Sequence, residues 1–390
     1  MIGAKEEMNQ QMNRTAVVIR RLATLAAIVV AMVALAAPAA WAKTFTVNST
    51  ANPGSGGVGA ACAPDPVLAP APECTLRGAV NAANANTLTD TINFKAGVSG
   101  DIELFNTSTQ GGFSILNDAT GVDLTINGPG AGVLAVDGNN QTRAFGIAPG
   151  ANATINGLTI KNGKAPESGF TEAGGIGNSG TLTLNRSTVS GNTADLYGGG
   201  IFSWNDLSDD TTTISNSTIS GNTAGSHGGG IANYDGLTRI KYSTITNNTA
   251  PYGEGSGVWS DDDGTSARTE VLSSIISANT NDNDVEVDDD TTNSFLSKGF
   301  NLIGGGDATS AFNKTGDQRG IPDPGLGLLI NNGGPTQTHA VLKGSRAIDR
   351  GGALKGCPAS DQRGQRRPQN GDGKGTSRCD IGAFEKKTVR

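Results

Sequence analysis

The sequence predicts an all-β fold, a right-handed parallel β-helix, and three observations carry that prediction. The first is composition: 57 of 390 residues are glycine, about twice the usual ~7%, with 17% charged and 5% aromatic residues. The glycines have no three-residue period, which excludes a collagen-like chain, and the regular spread of Val, Ile, Leu and Phe excludes wholesale disorder. The second is a repeat. Ser187-Thr188-Val189-Ser190-Gly191-Asn192-Thr193-Ala194 returns at residues 217–224, at 243–250 and degenerately at 274–280, with Asn-to-Asn steps of 30, 26 and 31. The third is that two companion blocks keep the same step: a Gly-Gly-Ile series at 174–176, 199–201, 229–231 and 256–258, and a Thr-Ile-Asn series centred on Ile126, Ile155, Leu184, Ile214, Ile240 and Val271. Three strand-like blocks recurring together define one coil of a solenoid.

Each element follows in order. Residues 1–42 read as a secretory signal: Arg14, Arg20 and Arg21 precede an apolar run over 22–35, then Pro38 and the small-residue site Ala40-Trp41-Ala42. Residues 43–90 read as an N-terminal cap. Within it, 74–84 form a short helix, because Leu76 and Val80, and Ala79 and Ala83, each lie four apart on one face. Residues 91–300 carry the coils. Aliphatic centres flanked by Thr, Ser or Asn suit strands with one face inside and one outside. Gly and Asn supply the left-handed turns between them, and Asn192, Asn222, Asn248 and Asn279 are placed to stack as an amide ladder. Seven to nine rungs at ~4.8 Å give a rod of roughly 35 to 45 Å. From 301 the repeat fades into an irregular C-terminal cap, with a loop over 365–378 tied down by Cys357 and Cys379.

Without its first 42 residues the chain holds 25 basic and 34 acidic residues, a balance of −9. That argues against nucleic acid as a partner, since phosphate binding needs a basic stripe. The four cysteines fall as two local pairs, Cys62 with Cys74 and Cys357 with Cys379. In an exported chain they read as two disulfides, although four cysteines permit three connectivities. Neither pair has zinc spacing.

Several stretches resemble a bacterial family of surface proteins. Cys74-Thr75-Leu76-Arg77-Gly78-Ala79-Val80-Asn81-Ala82-Ala83-Asn84 resembles the CSLREA domain, with Gly78 where that pattern has Glu. Asn332-Gly333-Gly334-Pro335-Thr336-Gln337-Thr338-His339-Ala340, Ala347-Ile348-Asp349, Asp361-Gln362-Arg363-Gly364 and Cys379-Asp380-Ile381-Gly382-Ala383-Phe384-Glu385 resemble the choice-of-anchor Q domain, with Arg346 where Pro is preferred. The coils between are similar to pectin-lyase-like β-helices and to polymorphic outer-membrane protein repeats. The resemblance implies export to the bacterial surface or medium and carries no agreed activity. The sequence runs only to Lys386-Lys387-Thr388-Val389-Arg390 after Glu385, so free secretion or loose surface association of a monomer, with no transmembrane domain after signal cleavage, is the expectation.

Function divides into two classes. For an enzyme acting on polysaccharide, a lyase or glycosidase, the candidates are Asp209, Asp210, His227, Arg239 and Lys241, since paired carboxylates can act as acid and base and cations can hold a uronate. The repeat explains them otherwise: Arg239 and Lys241 flank Ile240 on the outer face, where Glu270 one rung on can pair with Arg239, and His227 precedes its glycine block as Tyr197 does. A binding surface is favoured. Trp204 and Tyr234 each lie three residues beyond an inward Ile, and Trp259 begins the corresponding loop one coil later. Asn205, Asp206, Asp235 and Asp261 accompany them, and aromatic faces beside hydrogen-bonding groups grip sugar rings. The expectation is a surface-associated or secreted binding protein whose partner is polysaccharide or another cell-surface component, with a structural envelope role third. No cofactor is expected; Asp261, Asp262 and Asp263, with Asp282, Asp284, Asp288, Asp289 and Asp290, are the calcium candidates.

Overall fold

The computed structural model describes residues 42–52, 62, 73–107, 111–116, 123–129, 134–165, 171–204, 210–251, 255–261, 267–287, 294–352 and 356–387. Residues 1–41 of the segment 1–42 that the sequence reading expects to be a secretory signal lie outside them.

The chain from Lys43 is a right-handed parallel β-helix with three sheets of nine, eight and seven strands. One coil runs through all three in turn: Thr181–Asn185 in the first sheet, Thr188–Ser190 in the second, Ile201–Trp204 in the third. The next coil repeats this at Thr211–Ser215, Thr218–Ser220 and Ile231–Asp235, paired residue for residue with the one before. Strict register keeps like above like, so Val189, Ile219 and Ile245 form one inward column and Ile201, Ile231 and Val258 another, all fully buried.

Left-handed residues make the corners. Between second and third sheets these are Gly191, Gly221, Asn247 and Ala278. Between first and second sheets, however, the position is held by Gly157 and then by Arg186, Asn216, Tyr242, Ser273 and Phe300, the last five with φ between 45° and 60°. That corner is built without glycine from Arg186 onward. A hydroxyl one residue after it, Ser187, Ser217, Ser243 or Ser274, accepts a backbone N–H from the preceding rung at 3.1–3.3 Å.

The amide ladder is present. Asn192 Nδ2 donates to Asn222 Oδ1 at 2.8 Å, Asn222 to Asn248 at 2.9 Å and Asn248 to Asn279 at 2.9 Å. It ends on a carboxylate: Asp284 Oδ1 accepts the Asn279 Nδ2 at 2.7 Å and its backbone N–H at 2.9 Å. A second, outer ladder links Asn93, Asn127, Asn156 and Asn185.

Two boundaries differ from the sequence reading. The stack begins at Thr44, not near residue 91, because Thr44–Val47 pairs with Thr91–Phe94 as the first rung. Helix α1 (Leu76–Asn84) sits beside it and buries Leu76, Ala79, Val80 and Ala83, with Thr75 Oγ1 accepting the Gly78 N–H at 3.1 Å as N-cap. A side chain at Gly78 would start 3.4 Å from Cys62 Sγ, in the Cys62–Cys74 disulfide.

The C-terminal region is the larger difference. Only residues up to about Phe312 close the far end, where Phe312 meets Phe295. The remainder runs back as a strap along the outer face of the second sheet. Gln362 reaches Thr188 and Thr218, His339 reaches Ser220, the Ala383 N–H reaches Thr244 and Ser277 reaches the Ile321 carbonyl. A small second core of Ile275, Leu302, Ile321, Val341, Ile348, Ile381 and Phe384 lies beneath it. The Cys357–Cys379 disulfide ties the strap's loop, and Asp349 organises that loop by accepting the backbone N–H groups of Gly371 and Asp372 at 3.0 Å.

Charge is buried under the strap. The Arg367 guanidinium donates to the carbonyls of Asp380 and Gly382 and lies 3.6 Å from Glu385. Burial, then the neighbouring Glu385, pushes the Asp380 carboxyl up to about 7, against hydrogen bonds from the Asp349 and Lys386 backbone and the charge of Arg367. Because folding raises this pKa, the stability it confers is complete below about pH 4 and is lost as pH rises through 7, a swing of at most ~4 kcal/mol. The thermal transition of the strap is therefore expected to fall between pH 5 and pH 8, and Asp380→Asn to flatten that slope; a variant with the wild-type slope would refute the assignment.

Candidate functional site

The outer face of the third sheet carries the site. Register aligns one outward residue per coil: Ser114, Gly146, Gly177, Phe202, Ala232, Trp259 and Glu286. Small residues come first and rings follow, so the face is a trough that runs into an aromatic wall.

The wall is a cluster. Tyr197 stacks on Phe202 at 6.2 Å and on Trp259 at 5.7 Å; His227 lies 5.1 Å from Tyr197 and 4.8 Å from Trp259; Tyr234 meets Trp204 edge-on at 6.2 Å. Tyr197 and His227 precede the glycine blocks and fold back over the sheet through Gly198 and Gly228. A Cβ at Gly198 would stand 2.5 Å from the Ile201 carbonyl, and one at Gly228 2.7 Å from Ala232 Cβ. Positive φ and close approach together require glycine there.

This corrects the placement of Trp259. It does not open a loop but sits mid-strand, in register with Ala232, and is 2% exposed under Tyr197 and His227. A bulge after Ser203 aligns Trp204 with Asp235, leaving Tyr234 as the extra residue. Trp204 and Tyr234 remain half-exposed at the rim. Asp235 Oδ1 accepts the Gly236 N–H, and Asp261 is buried with its N–H on the Asn233 carbonyl. Asn205, Asp206, Asp209, Asp262, Asp263, Asp288, Asp289 and Asp290 lie outside the described residues.

The trough, about 220 Å³, is lined by Ser114, Leu116, Arg143, Glu172, Phe202 and Trp204 over the two glycines. Arg143 lies across Gly177, where a Cβ would stand 3.2 Å from its guanidinium. It donates through Nε to the Ala173 carbonyl at 2.9 Å and through Nη2 to the Glu172 carbonyl. Burial lowers the Arg143 pKa and the Glu172 charge opposes that. Among the described residues Glu172 Oε2 is buried without a hydrogen-bond partner, an acceptor that costs ~1–3 kcal/mol until a donor reaches it. Arg143, Glu172 and the two glycines were not singled out from the sequence. The legible signal was the row Gly146, Gly177, Phe202, Ala232, which appears only once the third-sheet blocks are aligned beyond their Gly-Gly-Ile core.

The candidate catalytic residues are not brought together. Asp210 opens a first-sheet strand and accepts Thr181 Oγ1 at 3.1 Å and the Gly150 N–H at 3.2 Å. His227 belongs to the third-sheet cluster, where Ser226 Oγ lies 2.5 Å from its Nδ1. Arg239 and Lys241 stand on the outer face of the first sheet, and Arg239 pairs with Glu270 at 3.4 Å in the adjacent rung. Asp284, a calcium candidate, is committed to the end of the amide ladder and to the Gly305 N–H at 2.8 Å. Among the described residues no group of three His, Cys, Asp or Glu side chains is placed to hold a metal, and no helix is long and apolar enough to cross a membrane.

No family model, curated protein or solved structure matches the chain, so function rests on this geometry.

Proposed function

We propose that this chain is an exported, surface-associated or secreted binding protein that holds a polysaccharide in the third-sheet trough against Trp204. One observation carries the reading: a glycine-floored trough walled by a half-exposed indole, with Arg143 as donor and, as acceptor, Glu172 Oε2, which has no hydrogen-bond partner among the described residues. A sugar ring offers what each of these needs, an apolar C–H face for the indole and hydroxyls for the charged pair. A trough open along a parallel sheet accepts a chain better than a single small molecule. Two disulfides fit an oxidising compartment.

Trp204→Ala and Glu172→Gln are each expected to weaken binding of a neutral oligosaccharide selected on a glycan array by about tenfold, or ~1.4 kcal/mol, with Trp204→Phe losing less. Unchanged affinity in both would overturn the reading. Polymer cleavage by the wild type that vanishes in Asp210→Ala or His227→Ala would replace it with an enzyme.

A further inference from the structure

We infer that the protein carries a second site, a basic cavity between the end of the rod and the strap, fitted to a linear acidic glycan. The cavity is about 1080 Å³ and is lined by residues of 315–318, 343–350, 371–378 and 386–387. Seven cations face it against two carboxylates, in a chain whose net charge is −7.

Those carboxylates are held by other groups and form no ion pair with the cations among the described residues. Asp317 is committed to the Asn301 N–H and Nδ2, to Ser297 Oγ and to the Lys314 N–H, all within 2.6–3.0 Å. Asp372 accepts the Lys374 backbone N–H at 2.7 Å. Of the cations, Lys386 donates to the Val341 carbonyl at 2.9 Å and Arg378 lies over the Phe300 ring at 5.8 Å. Lys343, Arg346, Arg350, Lys374 and Lys387 have no ion pair or side-chain hydrogen bond among the described residues. Five unpaired like charges around one concavity repel each other and focus a positive potential within it, which an anion relieves. Of the strap's other acids, Asp349, Asp361, Asp380 and Glu385 are buried and used in holding its backbone, and the exposed Asp323 accepts the Gly325 N–H away from the cavity lining.

Shape and lining choose the anion. The volume matches or exceeds the ~300–1,000 Å³ of a small-ligand pocket, so an oligomer fits better than one ion. Guanidiniums fork onto carboxylates, and carboxylates on successive sugar rings meet successive cations. A bilayer needs a projecting apolar surface, whereas this site is concave and Ile348 is its only aliphatic side chain apart from lysine stems. Single-stranded nucleic acid needs an open ring for stacking, and Arg378 covers Phe300.

Calorimetry on the full chain with oligogalacturonate tests the site. Binding is expected at low salt, weakening steeply as NaCl is raised. Arg346→Glu with Arg350→Glu is expected to lose about tenfold or more; the milder pair Lys374→Gln with Lys387→Gln to lose several-fold; and the remote reversal Lys95→Glu to change it little. Retained thermal unfolding of each variant guards against misfolding. Equal affinity in both double variants, absence of binding at low salt, or binding of phosphatidylglycerol vesicles in place of oligogalacturonate would each overturn the proposal.

Discussion

Asn222→Ala is expected to destabilise the protein by about 4 kcal/mol or more, although Asn222 touches no ligand and no surface. Its side chain is fully buried and serves both neighbours. Oδ1 accepts the Asn192 backbone N–H at 3.1 Å and Nδ2 at 2.8 Å, while its own Nδ2 donates to Asn248 Oδ1 at 2.9 Å and to the Val189 carbonyl at 3.0 Å. Alanine leaves two donors and part of two acceptors unmet in a dry interior, each at ~1–3 kcal/mol. The methylene volume lost is small, so hydrogen bonding dominates. Asn185→Ala is the matched control: it belongs to the half-exposed outer ladder, donates one bond at 3.3 Å and lets water in, so less than ~1 kcal/mol is expected. Denaturant midpoints of the two variants check this. Equal costs would mean the inner ladder is decoration.

Arg367→Leu is expected to cost about 3–5 kcal/mol, the usual penalty for removing one partner of a buried charge cluster. The side chain is inaccessible, sits at the middle of Asp361, Asp380 and Glu385, and donates to two carbonyls. Leucine fills much of the space but leaves those acids with less counter-charge. The damage should be local, since the rod's columns do not include these residues. Limited proteolysis is expected to release the strap, residues 321–385, while the coils from 44 to 312 persist. The sign with pH also follows: burial already raises the Asp380 and Glu385 carboxyls and Arg367 opposes that, so without it these two hold protons more tightly, and the variant should recover stability in mild acid and be weakest above pH 7. A variant cleaved in the coils as readily as in the strap, or equally stable at pH 5 and pH 8, would contradict this.

Much of the scaffold was legible because a solenoid writes its period into the sequence. Ile240 sits where the Thr-Ile-Asn series puts it, and the Arg239–Glu270 pair is one rung apart. What was not legible lies outside the period. Thr44–Val47 is a single rung separated from its partner by the helix and the disulfide loop, so no repeat marks it. Gln362 meets Thr218 across 144 residues, and fading periodicity reads as an end rather than a flank. At the site the rim residues Trp204 and Tyr234 stood out as aromatics. The fate of Trp259 depended on which ring folds over it, and that is set by positive φ at Gly198 and Gly228. Arg143 and Glu172 lie in no repeated block, and only three-dimensional alignment puts them beside Gly177.

The strap's placement has a mechanical consequence. It fastens to four consecutive coils, at Thr188, Thr218, Thr244 and Ser277, rather than to the last one. Tension applied near Glu385 therefore enters the rod along its side and is shared as shear among several rungs. A load at the terminal coil would instead peel rungs one at a time, starting from the last.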